Sequence, residues 1–281
     1  MAQPLGQGWG ARLLLARAAA YVKEPGRYAD VLELGTVRPL LTEPPFVRAL
    51  DELVADQEHC VAECIDWTPS DVMAAVQAGK IRLGLGVLPT STARQESGEP
   101  IAWGLMPMPG SAEVYQFSDH AWETLPLPRT VPTLGIAGRV AGVVRGTRRQ
   151  KAAWNVLIQL SGKAKGSDIC SQGKAATPFR ISQLAQAGRW LPEGLDDRIV
   201  TDFSQSIRTM LTASATLVVP RIPRAHDYLV ALDSAVRQAA LGEKTSQGAL
   251  QAAAEAWEKI TDAVGRPQQA ENLMRHYGLS P

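Results

Sequence analysis

A chain of 281 residues, 45% hydrophobic and 20% charged, can bury a sizeable core as one large domain or two smaller ones. Its net charge of +1 implies no overall attraction to nucleic acid, and the one basic cluster (Arg145, Arg148, Arg149, Lys151) reads as a solvated helix end. Cys60, Cys64 and Cys170 stand at no disulfide-framework spacing, and with His59 they lack the fourth ligand nearby that structural zinc requires.

The chain opens with Arg12 followed by LLLARAAAYV, which imitates an export signal. Arg17 interrupts the apolar run, and Leu14, Ala18 and Val22 recur at helical spacing, so an internal helix is predicted. No apolar run reaches the ~18 residues of a membrane span. Pro45 suits the first turn of a second helix with Phe46, Leu50, Leu53 and Val54 on one face. A third follows, with Thr68 as N-cap, Pro69 at the first position, and Trp67 and Val72 forming a hydrophobic staple. Gly79 ends it, and Ile81, Leu83, Leu85 and Val87 alternate as a strand. On the strand's other face, Gly84 and Gly86 mark close approach by a ligand or another element.

Residues 92–100 are loop-like, and 112–132, with Tyr115, Phe117 and Trp122, read as a long irregular loop of the kind that often carries function. One or two strands are expected over 131–144. Thr147 and Gln150 read as a capping box opening a helix that ends at Gly162. Helices follow over 197–211, 225–241 and 246–264, with a short one at the terminus; Gly242 and Gly265 fall at C-cap positions. Trp154, Trp190 and Trp257 are assigned to packing. No P-loop, HExxH or GxSxG occurs, and no histidine stands at a recognised catalytic spacing, so no enzyme is expected.

The closing stretch PRIPRAHDYLVALDSAVRQAALGEKTSQGALQAAAEAWEKITDAVGRPQQAENLMRHYGLSP carries a proline-bracketed turn, a helix pair with Gly242-Glu243 and Trp257, Gly265-Arg266, and a terminal Tyr277-Gly278-Leu279. It resembles the end of the extracellular solute-binding proteins of ABC sugar importers, most like their planctomycete members. IAWGLMPMPGS (101–111) and TPFRIS (177–182) resemble the two inter-lobe crossings of that family. Where the family usually has a tryptophan before Pro89, this chain has Leu88.

The resemblance implies an α/β, helix-rich, two-lobed fold of type II periplasmic-binding-protein kind, N-terminally truncated, since the opening residues resemble the middle of such proteins. Residues 1–100 would begin the larger C-terminal lobe. Residues 101–180 would hold a crossing strand and part of the smaller lobe, and 181–281 the helical remainder of the larger one. The implied function is non-covalent capture of a sugar or similar polar solute in an inter-lobe cleft. The solute would be delivered to ABC permease subunits, with the protein periplasmic or membrane-anchored outside the cytoplasm. No cofactor, metal or nucleic acid is expected, and the restored protein would be a monomer. The same fold also admits a non-transport interaction module, or an enzyme.

A sugar presents apolar C–H faces and a rim of hydroxyls, so its site combines aromatic platforms with a few planar polar groups. Trp103 is the preferred platform, with an inter-lobe core tryptophan as its alternative. Tyr115 and Trp122 are further candidates. Arg180 offers a fork of donors, or a salt bridge fixing the hinge. Asp227, beside Arg221, is a ligand candidate or a helix cap.

Overall fold

A computed structural model describes residues 1–24, 26–28, 30–86, 104–134, 141–163, 165–172, 178, 180–191 and 196–279, with 169, 170 and 172 described by backbone alone. The chain divides into two units. The first comprises Met1–Val87, Met108–Ile136 and Ser214–Pro281; the second comprises Leu88–Pro107 and Ala137–Ala213. The last return to the first unit falls between Ala213 and Ser214. The class is mixed α/β and dominated by helix, with two small two-stranded sheets among the described residues.

In the first unit, helix α1 (Gly10–Val22) buries nine residues, including Leu13, Leu14, Leu15, Ala18 and Val22. A helix apolar nearly all round belongs inside, and α1 packs against α2 (Pro44–Gln57), strand β1 (Ser111–Gln116) and α7 (Ala225–Ala240). Its own N-cap, Trp9, makes no side-chain cap. Asp233 of α7 supplies one instead, accepting from Gly8 N–H at 2.7 Å and Ala11 N–H at 3.1 Å. The helices approach so closely that a Cβ on Gly10 would stand 3.1 Å from Val236 and 3.2 Å from Asp233.

Helix α7 pairs with α8 (Ser246–Val264), after which α9 (Arg266–His276) closes the chain. The reversal uses Gly242 at φ +73°, and Thr245 caps α8 by accepting from Gly248 N–H at 3.2 Å. Inside the pair the Trp257 indole donates to Tyr228 O at 2.7 Å, and the Tyr228 hydroxyl lies 2.8 Å from Thr261 Oγ1. These helices begin and end within a residue of the expected positions.

Helix α3 (Pro69–Gln77) is opened by Thr68, whose N–H and hydroxyl both donate to Asp71, at 2.8 and 2.7 Å. Trp67 is half-buried on the small cluster of Ala2, Cys64, Val72, Ala75 and Ile81, as a staple requires. The strand expected at 81–87 is reduced, among the described residues, to one parallel bridge between Gly84 and Ala2, and Leu83 is exposed. Gly84 does mark a close approach, but by α3: a Cβ there would meet Val72 Cγ1 at 2.7 Å and Val76 Cγ2 at 3.0 Å.

The segment 112–132, expected as an irregular loop, is a hairpin. Strand β1 pairs antiparallel with β2 (Ala121–Arg129), with Tyr115 opposite Trp122 and Val114 opposite Glu123. Pro126 and Pro128 are tolerated because β2 is an edge strand, where a missing N–H costs no ladder bond. Strand β3 (Thr133–Leu134) pairs in parallel with β4 (Leu217–Val218).

The second unit holds α4 (Gln150–Ser161), α5 (Lys165–Gln172), a 3₁₀ segment Ile181–Trp190 and α6 (Asp197–Leu211); the 3₁₀ segment and α6 share a small core of Ala187, Trp190, Leu191 and Phe203. Helix α6 is capped by Asp196, which accepts from Arg198 N–H at 2.7 Å. The Thr147 capping box does not form: Arg149 is the N-cap of α4, without a side-chain bond. Trp154, expected in packing, is 50% exposed.

Candidate functional site

The hairpin stands beside α1 and α2 in the first unit. Opposite residues of an antiparallel pair share a face, so Tyr115 and Trp122 point the same way, with ring centroids 5.4 Å apart. Tyr115 is buried beneath, edge-on to Phe117 at 5.1 Å. Trp122 lies above it, half-buried, and meets Tyr21 of α1 edge-on at 5.8 Å.

Helix α2 turns Phe46, Leu50 and Leu53 inward, which leaves Arg48, Asp51 and Glu52 on its outer side. The Arg48 guanidinium stands 4.7 Å from the Tyr21 ring centroid and 4.9 Å from that of Trp122. It donates from Nε to Glu52 at 3.1 Å and from Nη1 to Glu113 at 2.8 Å. The Tyr21 hydroxyl donates to the same Glu52 carboxylate at 2.8 and 2.9 Å. Burial first, then the Glu52 carboxylate, pushes the Tyr21 phenol up to about 12, so it stays a donor.

These groups border an open concavity of ≈ 470 Å³, lined by Thr42, Pro44, Val47, Arg48, Asp51, Glu52, Trp122 and Gln247. Its chemistry is one aromatic wall held by Tyr115, Tyr21 and Arg48, surrounded by a guanidinium, two carboxylates, a hydroxyl and an amide. Arg48 Nη2 makes no hydrogen bond among the described residues. Planar donors and acceptors around an indole suit a neutral polyhydroxylated molecule. An anion would meet Asp51 and Glu52, while Glu52 and Glu113 already share the charge of Arg48.

A buried ion cluster anchors the hairpin to the end of α1. Asp30 is 0% exposed and accepts from Lys23 Nζ at 3.0 and 3.3 Å. Arg129 of β2 donates to Lys23 O, and the Arg27 guanidinium lies 3.5 Å from the Phe117 ring centroid. Burial raises the Asp30 carboxyl to about 6, against the pull of Lys23, Arg27 and Arg129. The cluster fixes where β2, and hence Trp122, stands over α2.

Of the residues predicted for a site, Trp122 lines the concavity and Tyr115 braces it from below. Asp227 is not in the lining: it lies in the first turn of α7, ion-paired with Arg224. Arg180, in the second unit, is exposed at the start of the 3₁₀ segment and donates its N–H to Gln183 at 3.1 Å. Trp103 lies outside the described residues. Thr42, Arg48, Asp51, Glu52 and Gln247 were missed. The i, i+4 pair Arg48–Glu52 on the outer side of α2 was a visible signal, but its place beside an aromatic wall depends on the hairpin. Among the described residues no three His, Cys, Asp or Glu side chains gather as a metal site. Cys60 and Cys64 are free thiols, and burial followed by the neighbouring Cys64 pushes Cys60 up to about 11. No protein-family model matches the chain, and no curated protein matches it at a significant level.

Proposed function

We propose that the protein binds a sugar or comparably polar, uncharged solute without chemical turnover, and that it serves as the solute-binding component of an ABC importer. The observation that carries the binding reading is the concavity itself. Trp122 offers a rigid indole, and Arg48, Asp51, Glu52, Thr42 and Gln247 offer donors and acceptors around it. The importer reading rests on the resemblance of residues 220–281 and of the segments 101–111 and 177–182. The division into two units, with the chain passing between them more than once, is compatible with a two-lobed binding protein of type II kind.

Titration calorimetry against a panel of mono- and oligosaccharides, with sugar acids as counter-ligands, tests this directly. A neutral sugar should bind and be recovered unchanged, and Trp122→Ala should weaken it by about 1–3 kcal/mol, the cost of truncating an aromatic anchor. Sugar acids should bind more weakly than their neutral parents. Absence of binding across the panel, or an unchanged affinity in folded Trp122→Ala protein, overturns the assignment.

A further inference from the structure

Between Ala141 and Ser167 the sequence has six basic residues (Arg145, Arg148, Arg149, Lys151, Lys163, Lys165) and no Asp or Glu. All six are exposed, and none forms an ion pair among the described residues. The nearest acid that follows, Asp168, is already paired with Arg189 at 2.7 Å. Among the described residues, therefore, no acid neutralises the positive charge of this region.

Helix α4 lies in the middle of that stretch and has no fully buried residue. At ~100° per residue its apolar side chains fill a wide arc centred on Ala153 and Leu157. Only that central strip is half-covered, by packing on α5. On one flank Trp154 and Ile158 are 50% and 60% exposed; on the other Val156 and Leu160 are 57% and 39% exposed. Such an arc left to water is unfavourable, and a helix with an apolar face between basic ends is built for an interface.

We propose that α4 docks on the surface of an anionic phospholipid bilayer. Charge decides among the occupants. Pairing two copies through α4 would bring two sets of unneutralised cations together. A nucleic acid would satisfy the cations but leave the apolar arc in water, because phosphate backbones offer it nothing. A bilayer with acidic headgroups answers both at once: Trp154 and Ile158 enter the headgroup–acyl boundary, and the basic residues at the two ends of the helix meet the headgroups. The helix has 12 residues, and no helix among the described residues is long and apolar enough to cross a membrane, so α4 would lie in the plane of the surface. This inference does not rest on sugar binding in the first unit.

The test is co-sedimentation of the full chain with extruded vesicles of phosphatidylcholine, alone or with roughly one-third phosphatidylserine. Binding is expected only with phosphatidylserine, and about tenfold weaker or more on raising salt from ~50 to ~500 mM, which shortens the screening length severalfold. Arg148→Glu/Arg149→Glu should weaken it by at least about tenfold, since each basic residue near an acidic surface contributes measurably. Trp154→Ser/Ile158→Ser, at exposed positions, should keep the helical content and co-sediment with phosphatidylserine vesicles at least about tenfold more weakly. Equal binding to neutral vesicles, no binding, or unchanged binding by the serine variant each overturns the proposal. So does a dimer that disperses in the serine variant while vesicles leave the protein in solution, or a preference for nucleic acid over vesicles.

Discussion

Replacing Asp233 by Ala tests how the two ends of the chain are joined. The carboxylate on α7 accepts the N–H groups of Gly8 and Ala11, and α1 has no side-chain cap of its own. Losing a helix N-cap costs about 0.5–2 kcal/mol. Removing the negative charge from the positive end of the helix adds about 0.3–1 kcal/mol. The expected loss for Asp233→Ala is therefore about 2 kcal/mol, and for Asp233→Asn, which keeps an acceptor without the charge, about 1 kcal/mol. Hydrogen exchange of peptides spanning residues 10–22 is the measurement. These amides lie in the core helix, so they exchange through large openings, and 2 kcal/mol should speed them by about thirtyfold. Unchanged exchange in α1, or acceleration confined to α7, would refute the capping argument.

Arg48→Met should cost about 1–2 kcal/mol of stability, from two partly exposed ion pairs and two ring contacts, and should weaken sugar binding further by loosening Trp122; denaturant unfolding and calorimetry separate the two effects. Gly84→Ala puts a methyl group against Val72 and Val76 and should destabilise by about 1–3 kcal/mol, read as a lower urea midpoint. The Asp30 carboxyl, raised to about 6 from an ordinary 3.8, has a definite pH signature. Between those values the folded state keeps a proton that the unfolded chain releases, so stability falls as pH rises through this window and is level above it. Compared with Asp30→Asn, the wild-type protein should lose of order 2 kcal/mol from pH 4 to pH 6; parallel curves for the two proteins would show that Asp30 ionises freely in the fold.

Helices α1, α2, α3, α6, α7 and α8 could be read from the sequence because their signals are local. Apolar spacing selected the buried faces, and Thr68, Gly242 and Gly265 marked ends through bonds and backbone angles set within a few residues. The hairpin could not be read this way. Pro126, Pro128 and the uneven burial along β2 hide the period-2 pattern, and only pairing with β1 brings Tyr115 opposite Trp122. The strand at 81–87 failed for the complementary reason: its alternation was present, but among the described residues Gly84 finds only Ala2 to pair with, and α3 closes over its glycine.

By itself the sequence determined that α1, α2, α3, α7 and α8 coil into helices, which faces they bury, and that Trp122 was an aromatic to watch. Tertiary structure alone decided that Trp122 would meet Arg48 and Glu52, that Asp233 would cap a helix more than two hundred residues away, and that α4 would leave Trp154 in water. The physical reason is range. A helical stripe or a cap such as Thr68–Asp71 is fixed by neighbours one turn away, whereas a concavity, an uncovered face or the Asp233 cap depends on groups distant in the chain being brought together or left apart.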